Sequence, residues 1–488
     1  MNMLGKTVMR LEITRAPDGL AAPPIQLGGT ASSACAIAII GAGFSGTMAA
    51  IHLRRLLPPD QVIFLIERSG RFARGLAYAD TGAAHLLNVR AANMSAFPDD
   101  AGHFERWVEA NAANWPNEIH RTPAGIFATR RVYGRYLRAA LHAEINASGG
   151  TVRLLADEVQ ALAPTPGGWR LACRSGKSIE AAGVVLAAGN LPSSRPCDGV
   201  EFRNPWTPAA LADLQPDASV LIVGTGLTMI DLVMTMHARG FHGPVVALSR
   251  RGLLPHAHEA VGQVWPTPAF TSVERSTAVG LLRAVRAQLR AARAQGIGWR
   301  AVIDSLRPVT AELWGGLPGA ERARFLRHLR PYWDIHRHRM APPAAATVQT
   351  LLGSGGLRIV RGRVREIERR AGDATVTFDN RATGMPETLK VQRIIYATGL
   401  QGQRAGKGLL PTMLAAGQAR LDRQELGLDV TNSLAVIDVQ GNPARNLWAL
   451  GPIVRGVFWE CLAVPDIRLQ ARQLSQEIAR SFTPAQPR

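Results

Sequence analysis

The sequence is poor in lysine, in cysteine and in long apolar runs, and each shortage excludes something. Only four of the 56 basic residues are lysines (Lys6, Lys177, Lys390, Lys407), so the other 52 are arginines, and guanidinium groups dominate a formal net charge of +19. In a chain this rich in Ala and Gly, that skew reads as GC-rich codon usage as readily as selection for an anionic partner. The four cysteines (Cys35, Cys173, Cys197, Cys461) form no CxxC, which argues against a zinc cluster, a dithiol redox centre and a secreted disulfide framework. A reducing cytoplasm is the expected location. Nowhere do about 18 apolar residues run together, and no basic segment near the N-terminus leads into an apolar core, so neither a membrane span nor a signal peptide is expected.

What is present is a chain of 488 residues, 47% hydrophobic, long enough for two or three domains with their own cores. Residues 1–33 mix Gly, Pro and polar residues without a period and read as a flexible N-terminal extension. From Ala36 the pattern sharpens. The run Ala36 to Ile40 reads as a strand, Gly41-Ala42-Gly43-Phe44-Ser45-Gly46 as a tight turn, and Thr47 to Leu57 as a helix stopped by Pro58-Pro59. A second apolar run, Val62 to Ile66, ends in Glu67. This is a βαβ unit with a GxGxxG turn. The same grammar recurs 183 residues later: strand Val220 to Val223, turn Gly224-Thr225-Gly226, a helix from about Thr228 to Arg239, and strand Val245 to Ser249. Two further strands end in small residues, at Ala187-Ala188-Gly189 and Ala397-Thr398-Gly399. Between Gly252 and Leu357 the periods are helical, with Leu282, Val285, Leu289 and Ala292 on one face, and a strand at Leu447–Leu450 leads through Gly451-Pro452 to a last helix.

In a βαβ setting the first glycine makes the turn, the second admits a pyrophosphate, and the third packs the helix on the sheet, whose N-terminus then faces the phosphates. Glu67 lies 26 residues after Gly41, where a carboxylate accepts hydrogen bonds from ribose hydroxyls. The same count from Gly224 reaches Arg250, followed by Arg251. Guanidinium groups there suit a 2′-phosphate, so the second site is expected to prefer NADPH; a solvated arginine pair is the alternative. Met229 replaces the third glycine. Two dinucleotide sites of different preference make sense if one cofactor reduces the other, which gives FAD first and NADPH second.

The chain resembles the FAD-NAD(P)-binding family of bacterial flavoproteins, relatives of class B flavin monooxygenases and N-hydroxylating monooxygenases. The residues that carry this are Gly75-Leu76-Ala77-Tyr78, His85-Leu86-Leu87-Asn88-Val89, Asn93-Met94-Ser95, His103-Phe104 with Trp107, Gly224 to Asp231, Ser249 to Gly252, His336 to Arg339 and Val464 to Arg468. The resemblance implies an α/β fold with two Rossmann-like domains and a helical insertion in the second. The division reads as 34–214 for the first part of the FAD domain, 215–390 for the NADPH domain with its insertion at about 253–356, and 391–488 for the rest of the FAD domain. It places Leu87, Asn88 and Met94 beside the isoalloxazine, although an Asn capping a loop would look the same. Val159 would meet the adenine through its backbone. Cofactor contacts are also expected from Gly41, Gly43, Phe44, Ser45, Gly46, Glu67, Arg68, Ala188, Gly189, Gly224, Gly226, Leu227, Thr228, Arg250, Arg251, Thr398, Gly399, Gly451 and Pro452. The aromatic fingerprint of ketone-oxygenating relatives before the second turn is missing: Phe202-Arg203-Asn204-Pro205-Trp206 stands there.

Asn88, Trp459 and Glu460 are the candidate catalytic residues. His336 and His338 supply two ligands with no acid partner, so no metal is expected. The leading expectation is an NADPH-dependent flavoprotein monooxygenase that oxygenates nitrogen or sulfur of a small molecule through a flavin hydroperoxide, with dioxygen as co-substrate. An NADPH dehydrogenase or quinone-type reductase shares every cofactor motif. A basic binding protein on a flavoprotein scaffold is the third reading. Residues 274–340 hold thirteen arginines against five acids, a local excess of +8, which points to attraction of NADPH or an anionic substrate more than of nucleic acid.

Overall fold

In the computed structural model, residues 36–79, 84–190, 199–202, 205–260, 262–399 and 408–482 are described; the extension read over 1–33 lies outside them. Two sheets with parallel centres form the frame. The first has six strands in the order Ala435–Ile437, Pro443–Ala449, Gly183–Leu186, Ile37–Ile40, Ile63–Ile66 and Val152–Leu155. All its neighbours are parallel except the outermost pair, Ala435–Ile437 with Pro443–Ala449. Its central strands are apolar at every position because helices cover both faces. The helix Phe44–Leu56 packs on one of them, the C-terminal helix Val464–Phe482. That last helix buries Val464, Ile467, Ala471, Leu474 and Ile478, the three-and-four spacing of a single apolar stripe. A three-stranded antiparallel sheet, Val159–Thr165, Gly168–Cys173 and Ser178–Ala181, extends this half.

The second sheet has seven strands: Glu201–Phe202, Arg393–Tyr396, Val220–Val223, Val245–Ser249, Leu357–Arg370, Asp373–Asn380 and Pro386–Val391. Strand Leu357–Arg370 begins parallel to Val245–Ser249 and continues into an antiparallel ribbon. Sheet membership differs from the boundaries read at 214 and 390. Glu201–Phe202 and Arg393–Tyr396 both belong to the second sheet, because Arg393–Tyr396 pairs with Val220–Val223 on one side and Glu201–Phe202 on the other.

Between Val245–Ser249 and Leu357–Arg370 the described residues form seven α-helices, Ser272–Arg275, Ala278–Ala294, Trp299–Ser305, Thr310–Gly316, Gly319–His328, Arg330–Arg337 and Pro342–Gly353. They have a small core of their own in Phe270, Ala284, Ile303 and Leu306, while Ala344 and Val348 of the last helix join the core of the second sheet. Among the described residues no helix is long and apolar enough to cross a membrane.

Candidate functional site

The two glycine turns are the same backbone device. At the first, Gly41 N–H donates to Ile66 O and Ala187 N–H donates to Ile40 O, both at 2.8 Å. Gly41 has φ +101°, and a Cβ on it would stop 2.4 Å from Ala187 O. At the second, Gly224 N–H donates to Leu248 O and Ala397 N–H to Val223 O, again at 2.8 Å. Gly224 has φ +124°, and its Cβ would stop 2.4 Å from Ala397 O. The small residues that end the two strands, Ala187-Ala188-Gly189 and Ala397-Thr398-Gly399, are thus explained: each turn lies against the alanine. Ala188, Thr398 and Gly399 are exposed at the carboxyl ends of the strands, the edge where open α/β sheets take their ligands.

In the first turn Gly43 caps the helix Phe44–Leu56 without a side-chain bond, which leaves the helix N-terminus suited to an anion. A Cβ at Gly46 would lie 1.8 Å from Gly41 O. The Glu67 carboxylate accepts from Ala42 N–H at 3.0 Å, and from Ser69 N–H and Oγ at 3.1 and 2.8 Å, so it is held across the turn. Arg68 is exposed and 4.0 Å from Glu158, next to buried Val159. Glu67, Arg68 and Val159 therefore share one end of the cradle. Phe44 is buried near Tyr133, ring centroids 6.3 Å apart.

The segment expected along the isoalloxazine is tied into the first half. Leu87 is buried and its N–H donates to Ala128 O at 2.8 Å; Met94 is buried behind a short turn at Ala91–Asn93. The C-terminal segment reaches it through Arg468, which donates to Ser95 O at 2.8 Å. Gly451 sits so close to the first turn that a Cβ would meet Ser45 Oγ at 2.2 Å. Its N–H donates to Gln470 Oε1 at 2.8 Å, and Pro452 opens the short turn Gly451–Val454. Gln470 has no motif to mark it in the sequence. The residues fit FAD: the glycines leave a cradle that any side chain would fill, a helix N-terminus faces it, and the Glu67 carboxylate stands at its edge.

At the second turn Gly226 caps the helix Leu227–Ala238 and has open space where a Cβ would go. Leu227 and Thr228 are half-buried in its first turn. Thr225 Oγ1 hydrogen-bonds Ser249 Oγ at 2.9 Å and donates to Leu253 O at 2.6 Å. Arg250 is exposed with no partner among the described residues. Arg251 is partly committed: it donates to His328 O at 2.9 Å and Arg327 O at 3.3 Å, and lies 4.9 Å from the Tyr332 ring. The second turn thus has one free guanidinium beside it and one that is already anchored.

Asn88 lies at the junction of the two halves, where its carbonyl oxygen accepts from His258 Nε2 at 3.0 Å. Nearby, His85 Nε2 is 2.5 Å from Thr235 Oγ1, Arg90 donates to Glu259 O at 3.0 Å, and Arg130 pairs with Asp231 at 3.0 Å. Burial pushes the His258 imidazole down to about 4, so it is neutral near pH 7 and its Nε2 donates as the N–H tautomer. These junction residues were not legible as a set, because their partners lie 100 or more residues apart.

Trp459 and Glu460 face the insertion. Trp459 is buried, stacked on Trp314 at 4.7 Å and edge-on to Phe325 at 5.6 Å. Glu460 accepts from Trp333 Nε1 at 2.9 Å and has Arg337 Nε 3.5 Å from its other oxygen. Burial opposes its ionisation, but His338, Arg337 and the Trp333 N–H outweigh burial and hold its pKa below the usual carboxylate range. Asp466, 3.7 Å from Arg307, shifts upward because burial outweighs Arg307 and Arg337.

Residues 38–191 match the FAD-NAD(P)-binding family, and this part of the chain is an FAD-NAD(P)-binding domain. No curated protein matches the sequence. Among solved structures, the chain resembles the ornithine N-hydroxylase of Kutzneria sp. 744, solved with reduced FAD, NADP+ and L-ornithine. The TM-score is 0.61 at 15% identity, covering 92% of this chain and 99% of that one. It also resembles the FAD-bound cadaverine monooxygenase of Erwinia amylovora (TM-score 0.61, 12% identity, 93% and 96% covered). A third is the L-lysine 6-monooxygenase of Pseudomonas syringae (0.60, 16%, 92% and 99%). At these identities the likeness is one of fold, that of a two-domain α/β flavoprotein.

Proposed function

We propose that this protein is an FAD-dependent oxidoreductase that draws electrons from NADPH and inserts oxygen at a nitrogen or sulfur of a small molecule. The observation that carries the reading is the pair of matched cradles with opposite fittings, Glu67 at the ribose end of one and a free Arg250 at the same place in the other. Bound FAD supplies a hydride acceptor and, once reduced, a partner for dioxygen. The chain's own work is binding and exclusion. Glu67 holds the first turn and orients the ribose; Arg250 and Arg251 select the 2′-phosphate; Leu87 and Met94 give the flavin ring an apolar neighbour; Asn88 offers it a polar edge. Such oxygen transfer asks for a dry pocket more than for an added nucleophile. The ornithine N-hydroxylase among the structural neighbours, with the cadaverine and lysine monooxygenases beside it, supports nitrogen as the atom attacked.

The absorbance spectrum of the purified protein is expected to show bound flavin that NADPH bleaches anaerobically far faster than NADH. Oxygen uptake over a panel of amines, amino acids and thioethers then decides the acceptor. Substrate-stimulated uptake coupled to a hydroxylated or sulfoxidised product supports the proposal. Rapid flavin reduction without any such product would instead assign an NADPH dehydrogenase.

A further inference from the structure

Glu460 sits where a catalytic carboxylate is expected, yet its contacts give it a different task. Its side chain is 6% exposed and both oxygens face the helix Arg330–Arg337, one taking the Trp333 N–H, the other beside Arg337. A carboxylate held ionised and enclosed in this way has no proton to give and no opening through which to take one. The helix it grips leads directly into residues 335–340, which pair with 256–258: His256 N–H donates to Ile335 O at 3.0 Å, Met340 N–H to His256 O at 2.7 Å, and His258 N–H to Met340 O at 2.9 Å. That short ladder ends on the first domain again, through His258 to Asn88 O and Arg90 to Glu259 O, both at 3.0 Å. Arg339 locks its middle, 2% exposed and bidentate to Asp304 at 2.9 and 3.0 Å. The contacts close into a ring from the C-terminal loop, across the insertion, to the Leu87–Met94 segment.

We infer that Glu460 is a positioning residue: it anchors a roof, made of residues 256–259 and 330–340, across the flavin side of the first domain, and Asn88 and Arg90 hold the roof's far end. This rests on the reading that FAD occupies the first cradle with Leu87–Met94 along its ring. The helical insertion then has a function of its own. It encloses the space where reduced flavin meets dioxygen, and it fixes the second domain over the first by contacts at two separated edges.

The test compares wild type with Glu460→Gln and Trp333→Phe. Two readouts serve: hydrogen exchange at the amides of His256, His258 and Met340, and quenching of bound FAD fluorescence by iodide. Glu460→Gln loses the ionic partner of a buried arginine, so exchange at those three amides is expected to quicken on the order of tenfold. Exchange at Ile37–Ile40 stays at the wild-type rate, and iodide quenching rises while FAD remains bound. Trp333→Phe, which removes one N–H donor, moves both readouts the same way by less. Wild-type exchange at the three amides in Glu460→Gln overturns the anchor. If exchange instead rises everywhere in Glu460→Gln, Trp333→Phe decides, and unchanged exchange there overturns it. A protein that holds no FAD defeats the functional reading, while the exchange measurement still decides the role of Glu460.

Discussion

At Gly41 and Gly224 the chain makes one turn twice, each against the alanine that ends a neighbouring strand, but three residues into the following helices the two part company. Gly46 stands where a Cβ would strike Gly41 O at 1.8 Å, whereas the matching residue of the second helix, Met229, carries a long side chain fully buried in the core of its own domain. The first helix is pressed onto its turn; the second stands off and is held from below. The bonds that tie turn to strand differ as well. Glu67 takes the Ala42 N–H in the first, while in the second a hydroxyl pair, Thr225 and Ser249, does that work and leaves position 250 free for a cation. A shared backbone cradle thus tolerates two solutions for its third glycine and two ways of tying turn to strand.

Substitution at the two matched helix positions should break the comparison most sharply. In Gly46→Ala the new methyl meets backbone that cannot swing aside, so the cost exceeds the roughly 3 kcal/mol upper end of ordinary overpacking. Purified protein is expected to carry less than about a tenth of the wild-type flavin, and retention of full flavin absorbance would remove the close-approach argument. Met229→Ala, by contrast, leaves a cavity in the second core and costs about 3 kcal/mol, read as a lower melting temperature. Its flavin content should stay at the wild-type level, since nothing in the first cradle touches Met229.

This contrast marks what the sequence could reveal. Gly41, Gly43, Gly46 and Glu67 were readable because the whole device lies within one βαβ unit, and the repeat at Gly224 was readable for the same reason despite the loss of its third glycine. The pairing of Ala187 with Gly41 and of Ala397 with Gly224 was only hinted at by small residues at strand ends. The junction set, His85 with Thr235, Asn88 with His258 and Arg130 with Asp231, left no local pattern, because each pair joins segments that meet only after both domains fold. Glu460 reads from the sequence as a candidate catalytic residue, but its engagement by Trp333 and Arg337 depends on how the insertion lies. Arg393–Tyr396 reads like the end of either sheet until its partner strand, Val220–Val223, is known.

The fittings at positions 250 and 251 sharpen the comparison at the level of the cofactor. Arg250 is free and Arg251 already holds two carbonyls at the end of the helix Gly319–His328. Arg250→Ala should therefore raise KM for NADPH about tenfold, the value of one charge-assisted hydrogen bond, with NADH unchanged. Arg251→Ala should shift NADPH less and lower the melting temperature as well. Equal loss toward both nicotinamides in Arg250→Ala would mean that the 2′-phosphate is not what this residue reads.

The smallest expected effect concerns acid, and it separates the two helices once more. His52, the ninth residue of Phe44–Leu56, is buried, and its imidazole is lowered to about 4, first by burial and then by Arg55, with Asp99 opposing. The ninth residue of the second helix is Thr235, which does not titrate. Between pH 6.5 and about 4 the unfolded chain takes up a proton on His52 that the folded helix refuses, so its contribution to stability is complete above pH 6.5 and falls away as the pH drops through that window. At pH 6 the loss is about 1 kcal/mol. Melting curves followed by flavin release should therefore shift downward from pH 7 to pH 6 in wild type and less so in His52→Gln, compared with the variant's own value at pH 7. An identical slope in the two proteins would show that acid acts on the first domain through some other group.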